Sequence, residues 1–144
     1  MNNGKKPIKI LLIEDNEGDI ILTRETLKEG KILNELICIK DGETALDFLE
    51  KIKTFALDEI PDLILLDINL PRIDGHEIMQ FINQDDHLRK IPVFMLSSSD
   101  AAIDIETSKK NNASHYLTKP LDVFEFVNEI KKITPFWFNI VKVN

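Results

Sequence analysis

The chain has 144 residues, 43% of them hydrophobic and 30% charged, enough apolar content for one buried core and too little length for two of ordinary size. A formal net charge of −7 argues against a phosphate-backbone binding surface, which needs clustered Lys and Arg, so direct nucleic-acid binding is not expected. No apolar stretch approaches the ~20 residues of a membrane span and Met1 to Lys6 are polar, so neither a membrane partner nor a signal peptide is expected and the chain reads as cytoplasmic. Cys38 has no second cysteine to pair with, and its place among Leu36 to Ile39 reads as a buried thiol in a reducing compartment.

Lys9 to Ile13 form a short apolar run after Pro7 and stop at Glu14 and Asp15, the pattern of a buried strand. A first helix is expected over Gly18 to Glu29, capped from Asp15 or Asn16, with Ile20, Ile21 and Leu27 as its apolar positions and Gly30 as its stop. Leu36 to Ile39 read as a second strand entering a turn at Asp41 and Gly42. Ala45, Phe48, Leu49 and Ile52 fall at i, i+3, i+4 and i+7, one stripe of a second helix. Leu63 to Leu66 are too few for a helix and apolar on both faces, which predicts a central strand. A third helix over Gly75 to Asn83 carries Ile78, Phe81 and Ile82. Val93 to Leu96 form a fourth strand running into Ser97, Ser98 and Ser99. Asp100 can cap a fourth helix through about Lys110, His115 to Leu117 make a short fifth strand, and Val123, Phe126, Val127 and Ile130 make the stripe of a last helix.

Strands alternating with helices predict right-handed βαβ crossovers, hence a single doubly wound α/β domain with five parallel strands and helices on both faces. Ligands of such sheets bind beyond the carboxyl ends of the strands. Those ends carry Glu14 and Asp15 on the first strand, Asp67 on the third, Ser97 on the fourth, and Thr118 leading to Lys119 on the fifth. Carboxylates crowded on one edge repel one another and either stay partly protonated or recruit a cation. An oxygen-only set with open positions suits Mg²⁺, with Mn²⁺ acceptable.

With Pro71, Asp74-Gly75, Tyr116 and Lys119-Pro120 added, this set resembles the receiver domain of two-component response regulators. The resemblance spans residues 8 to 134, preceded by a polar lead over 1 to 7 and followed by an aromatic extension over 135 to 144. It implies a flavodoxin-like strand order of 2-1-3-4-5 and makes Asp67 the phosphoacceptor for a sensor histidine kinase. It implies Asp15, Asp67 and the backbone carbonyl of Asn69 as metal ligands with Glu14 acting through water, and Ser97 and Lys119 as phosphoryl-binding groups. It further implies a switch pair in Ser97 and Tyr116, a cis Lys119-Pro120 peptide, and tuning of the phosphoryl lifetime by Asn69 and Ser99. A receiver of this kind is a phosphoacceptor that catalyses its own phosphorylation and dephosphorylation rather than an enzyme acting on other molecules. With no room expected for a helix-turn-helix or enzymatic output domain, its output passes through protein contacts or onward phosphotransfer.

Weaker readings accompany these. Asp67 alone could be a loop residue or cap, Ser97 a turn former and Tyr116 a strand aromatic. His76, His87 and His115 are scattered and read as exposed or structural, and Met79 and Met95 as core filling. A haloacid-dehalogenase-type phosphatase needs a second Asp where Asn69 stands. A flavodoxin needs a phosphate loop where Glu14 and Asp15 stand. A receiver-like module that binds partners without phosphorylation is the alternative function. The tail residues Phe136, Trp137 and Phe138 either fold back as core or form an interface, and composition leaves both open. Together with the Lys51 to Ile60 connection and the Leu88 to Pro92 segment, the tail resembles single-domain regulators paired with bacterial phytochrome kinases. That finer resemblance implies a phytochrome partner and a homodimer.

Overall fold

A computed structural model describes residues 7–54, 59–98 and 115–133. Within them the chain runs β1 (Ile8–Ile13), α1 (Glu17–Glu29), β2 (Asn34–Ile39), α2 (Gly42–Ile52), β3 (Leu63–Asp67), α3 (Gly75–Asn83), a 3-10 turn (Leu88–Lys90), β4 (Val93–Ser97), β5 (His115–Thr118) and α4 (Val123–Ile133). The strands form one parallel sheet in the order β2-β1-β3-β4-β5, as the alternating pattern and the resemblance require. The helix expected over Asp100 to Lys110, Ser99, and the aromatic residues Phe136, Trp137 and Phe138 lie outside the described residues.

The pleat divides the core by parity. Leu11 and Ile13 of β1, Ile64 and Leu66 of β3, and Val93 and Met95 of β4 pack under α2 and α3 with Ala45, Leu49, Ile78 and Ile82. Their neighbours Ile10, Leu12, Leu63, Leu65, Phe94 and Leu96 pack under α1 and α4 with Ile20, Leu27, Phe126 and Ile130. Every residue of β3 and β4 is buried, which is why both read as unbroken apolar runs rather than as alternation.

Caps set where the helices begin. The Asn16 side chain accepts from the Asp19 N–H, so α1 starts at Glu17 and Asp15 stays out of the cap. Asp41 and Asp74 do the same for Thr44 and Glu77 at the starts of α2 and α3. The Thr44 backbone N–H, helped by its hydroxyl, holds the Asp41 carboxyl below its ordinary range.

Three sequence expectations change at the sheet's margin. Strand β2 begins two residues earlier than its apolar run, at Asn34, because edge pairing with β1 needs backbone rather than apolar side chains. Cys38 is half-buried rather than buried, and the Arg24 guanidinium donates to its sulfur at 3.4 Å, since an edge strand keeps part of its surface in solvent. Ile21, assigned to the apolar face of α1, is 57% exposed beside Leu22 at 50%, so only Ile20 and Leu27 of that set reach the core.

Candidate functional site

Parity carries into the chemistry. Glu14 follows Leu12 in the alternation of β1 and Asp67 follows Leu65 in β3, so both carboxylates reach the strand ends on the α1 side of the sheet. Both are buried, at 0% and 2% exposure, while Asp15 beside them is exposed. One carboxylate oxygen from each of Glu14, Asp15 and Asp67 lies within 4.8 Å of the others.

The pocket wall comes from backbone packing. The Asn69 N–H donates to Asp67 Oδ1 at 3.0 Å, which fixes the carboxylate and brings the Asn69 backbone to the pocket. Gly75 donates to the Ile68 carbonyl at 2.9 Å, and a Cβ there would come within 2.5 Å of the Asp67 carbonyl oxygen. A glycine is therefore required for α3 to press against the chain just after Asp67. Arg72, in the same connection, holds a left-handed φ of 65°.

Lys119 closes the pocket from β5. The Ser97 carbonyl accepts from its N–H at 2.7 Å, and the Lys119-Pro120 peptide is cis. Its Nζ lies 2.9 Å from Glu14 Oε1, 2.7 Å from Asp19 Oδ2 and 3.5 Å from Asp67 Oδ2. Three carboxylates thus share one ammonium. Burial, then contact with Asp67, pushes the Glu14 carboxyl up to about 7 against the pull of Lys119. Burial works to lower the Lys119 pKa, but hydrogen bonds to Asp19 and Glu14 and the charges of Asp67 and Glu14 overcome it and hold the ammonium well above its ordinary range.

Ser97, fully buried, and Tyr116, half-buried against the α2 and α3 layer, both fall on the sheet face opposite Glu14 and Asp67. The structure therefore brings Glu14, Asp15, Asp67, the Asn69 backbone and Lys119 together at one pocket. It sets Ser97 and Tyr116 on neighbouring strands across the sheet from the carboxylates. Among the histidines, His115 pairs with Glu129 of α4 and meets the Phe94 ring edge-on at 5.0 Å, a structural role, while His76 is half-buried and His87 exposed.

Asp19 went unnoticed in the sequence. Its only local signal is an acidic residue in the first turn of a helix, where such residues are common because they complement the helix dipole. Its partner lies 100 positions away.

The sequence matches the response regulator receiver domain family over residues 10–131. This chain belongs to that family. The receiver is 37% identical over 142 residues to response regulator Rcp1 of Synechocystis, covering 98% of this chain and 97% of that one. The Mn²⁺-bound form of Rcp1 superposes with a TM-score of 0.71 at 35% identity, over 96% of this chain and 99% of that one. The phosphorylated cyanobacterial phytochrome response regulator RcpA gives a TM-score of 0.73 at 36% identity, over 95% of this chain and 98% of that one. The bacteriophytochrome response regulator RtBRR gives 0.79 at 34% identity, over 96% of this chain and 83% of that one.

The receiver's oxygen cluster suits a hard divalent cation: three carboxylates converge, and burial beside Asp67 disfavours the charge of Glu14 that a cation would offset. Among the described residues no helix is long and apolar enough to cross a membrane.

Proposed function

We propose that this receiver accepts a phosphoryl group on Asp67 from a sensor histidine kinase and signals by a change of surface. The observation that carries this reading is the convergence of Glu14, Asp15 and Asp67 within 4.8 Å beside the Lys119 ammonium. An Asp67 carboxylate oxygen attacks phosphorus and forms a P–O bond while the P–N bond of the kinase phosphohistidine breaks. The P–N electron pair leaves on the imidazole, whose other nitrogen already carries the proton that makes it a neutral leaving group. The product is an acyl phosphate. Phosphoryl transfer is largely positioning and charge stabilisation, and Asn69 supplies the first by holding Asp67 through its N–H. Lys119 supplies a fixed positive charge for the phosphoryl oxygens. Asp15, Asp67 and the Asn69 carbonyl would hold Mg²⁺, or Mn²⁺ as in the Rcp1 structure, with Glu14 reaching it through water. When bound, such a cation would supply positive charge against that of the transferring group.

For output, the Ser97 hydroxyl would bond a phosphoryl oxygen and Tyr116 would move into the space it leaves. Their shared face supports the exchange between Ser97 and Tyr116, while the phosphoryl contact requires the Ser97 hydroxyl to reach over the strand end toward Asp67. Similarity to RcpA and RtBRR supports a bacterial phytochrome kinase as partner; self-association is a further contact of the same reading. In this reading the protein is a cytoplasmic phosphoacceptor that catalyses its own phosphorylation and dephosphorylation.

Acetyl phosphate with Mg²⁺ tests the assignment: a Phos-tag gel should show a shifted band that EDTA or Asp67→Asn abolishes. Modification that persists in Asp67→Asn removes Asp67 from the chemistry.

A further inference from the structure

Lys119 has three N–H donors and three carboxylate neighbours, and the distances rank them. Asp19 and Glu14 take hydrogen bonds of 2.7 and 2.9 Å, while the Asp67 oxygen stands off at 3.5 Å. The ammonium is thus drawn toward α1 and away from the carboxylate read above as the phosphoacceptor. A phosphoryl group on Asp67 needs that charge, so one of the short bonds must give way.

The two short bonds differ in how readily they break. The Glu14 side chain is fully buried, so bulk solvent cannot take the place of the ammonium. The Asp19 side chain is 30% exposed and water can replace the lysine. Its backbone is pinned at both polar groups: its N–H donates to Asn16 Oδ1 at 2.9 Å, and its carbonyl accepts from the Thr23 hydroxyl at 2.9 Å. The carboxylate can release Lys119 without disturbing the helix that carries it.

We propose that Asp19 is a positioning residue that holds the Lys119 ammonium back from Asp67 in the resting receiver and yields it to the phosphoryl group. Asp19 therefore sets how readily the domain is phosphorylated, acting through Lys119 rather than touching the transferred group. This rests on the reading of Asp67 as phosphoacceptor.

The test compares wild type with Asp19→Asn and Asp19→Glu, using acetyl phosphate and Mg²⁺, each variant checked by thermal melting; Asp19→Ser replaces Asp19→Asn should that variant not fold. Removing the charge should speed phosphorylation by about 5-fold or more, the lower range of usual coupling between sites. Asp19→Glu should restore the wild-type rate, and in a Lys119→Ala background Asp19→Asn should change nothing. The same acceleration without Lys119 would overturn the proposal in favour of a general loss of negative charge, as would a folded Asp19→Asn with an unchanged or slower rate. The ¹⁵N resonance of Lys119 Nζ, slow to exchange when held in ion pairs, should broaden or vanish in Asp19→Asn. A resonance unaffected by the substitution also overturns it. If wild type takes no phosphoryl group, the reading of Asp67 fails, and the Nζ resonance still decides whether Asp19 holds the lysine.

Discussion

The two halves of strand β3 show two uses of burial. Leu63 to Leu66 are wholly enclosed by side chains that ask for nothing but contact, whereas Asp67, next in line and as deeply enclosed, meets a lysine, a backbone N–H and two further carboxylates. Apolar burial stabilises in proportion to area, so the first half holds the sheet together. Burial of like charges costs stability, and under the proposed function that cost is kept because the crowding draws in a cation, whose charge would in turn favour a phosphoryl group.

Substitutions on either side of that boundary should separate the two. The largest effect is expected from Leu66→Ala, which empties a fully buried site under α2 and α3 and should cost about 2–5 kcal/mol in urea unfolding. A loss well under 1 kcal/mol would mean that this layer yields, and the contrast would weaken. Gly75→Ala comes next: its methyl meets the Asp67 carbonyl, so a cost of about 1–3 kcal/mol is expected together with slower labelling of Asp67 by acetyl phosphate. Normal labelling in a destabilised Gly75→Ala protein would show that the loop wall does not position the carboxylate.

The smallest effect concerns pH. The Glu14 carboxyl rises from 4.5 to about 7 on folding, so between those values the folded chain binds a proton that the unfolded chain releases. Metal-free stability from this group is full below pH 4.5 and falls as pH climbs through 7. Thermal melts in EDTA should show that decline, Glu14→Gln should flatten it, and Mg²⁺ should raise the melting temperature more at pH 8 than at pH 5. A metal effect independent of pH would break the link between the buried carboxyl and the cation.

Most of this was legible in the linear sequence for reasons visible in the fold. Strands enclosed on both faces must be apolar throughout, so Leu63 to Leu66 and Val93 to Leu96 announce themselves, and a polar residue ending such a run stands at a sheet edge. Asp67, Glu14 and Lys119 were found that way. Asp19 was not, because its importance lies in a lysine from the far end of the chain, and nothing in a single helical turn shows what faces it. Ile21 and Cys38 misled for a related reason. An apolar residue records a preference for burial, but only the packing of neighbouring elements decides whether α1 or the outer strand β2 finds a cover for it.

The parity of the pleat makes the address of Asp67 an even-numbered matter. Deleting one residue from β3 would turn its carboxylate toward α2 and α3, away from Glu14 and Lys119. Deleting two would keep it facing correctly but withdraw it some ~6.6 Å into the hydrocarbon interior. The carboxylate edge and the core are thus written on one ruler whose smallest usable division is a residue pair, and any graft of this pocket onto another sheet must count along the strand before it chooses side chains.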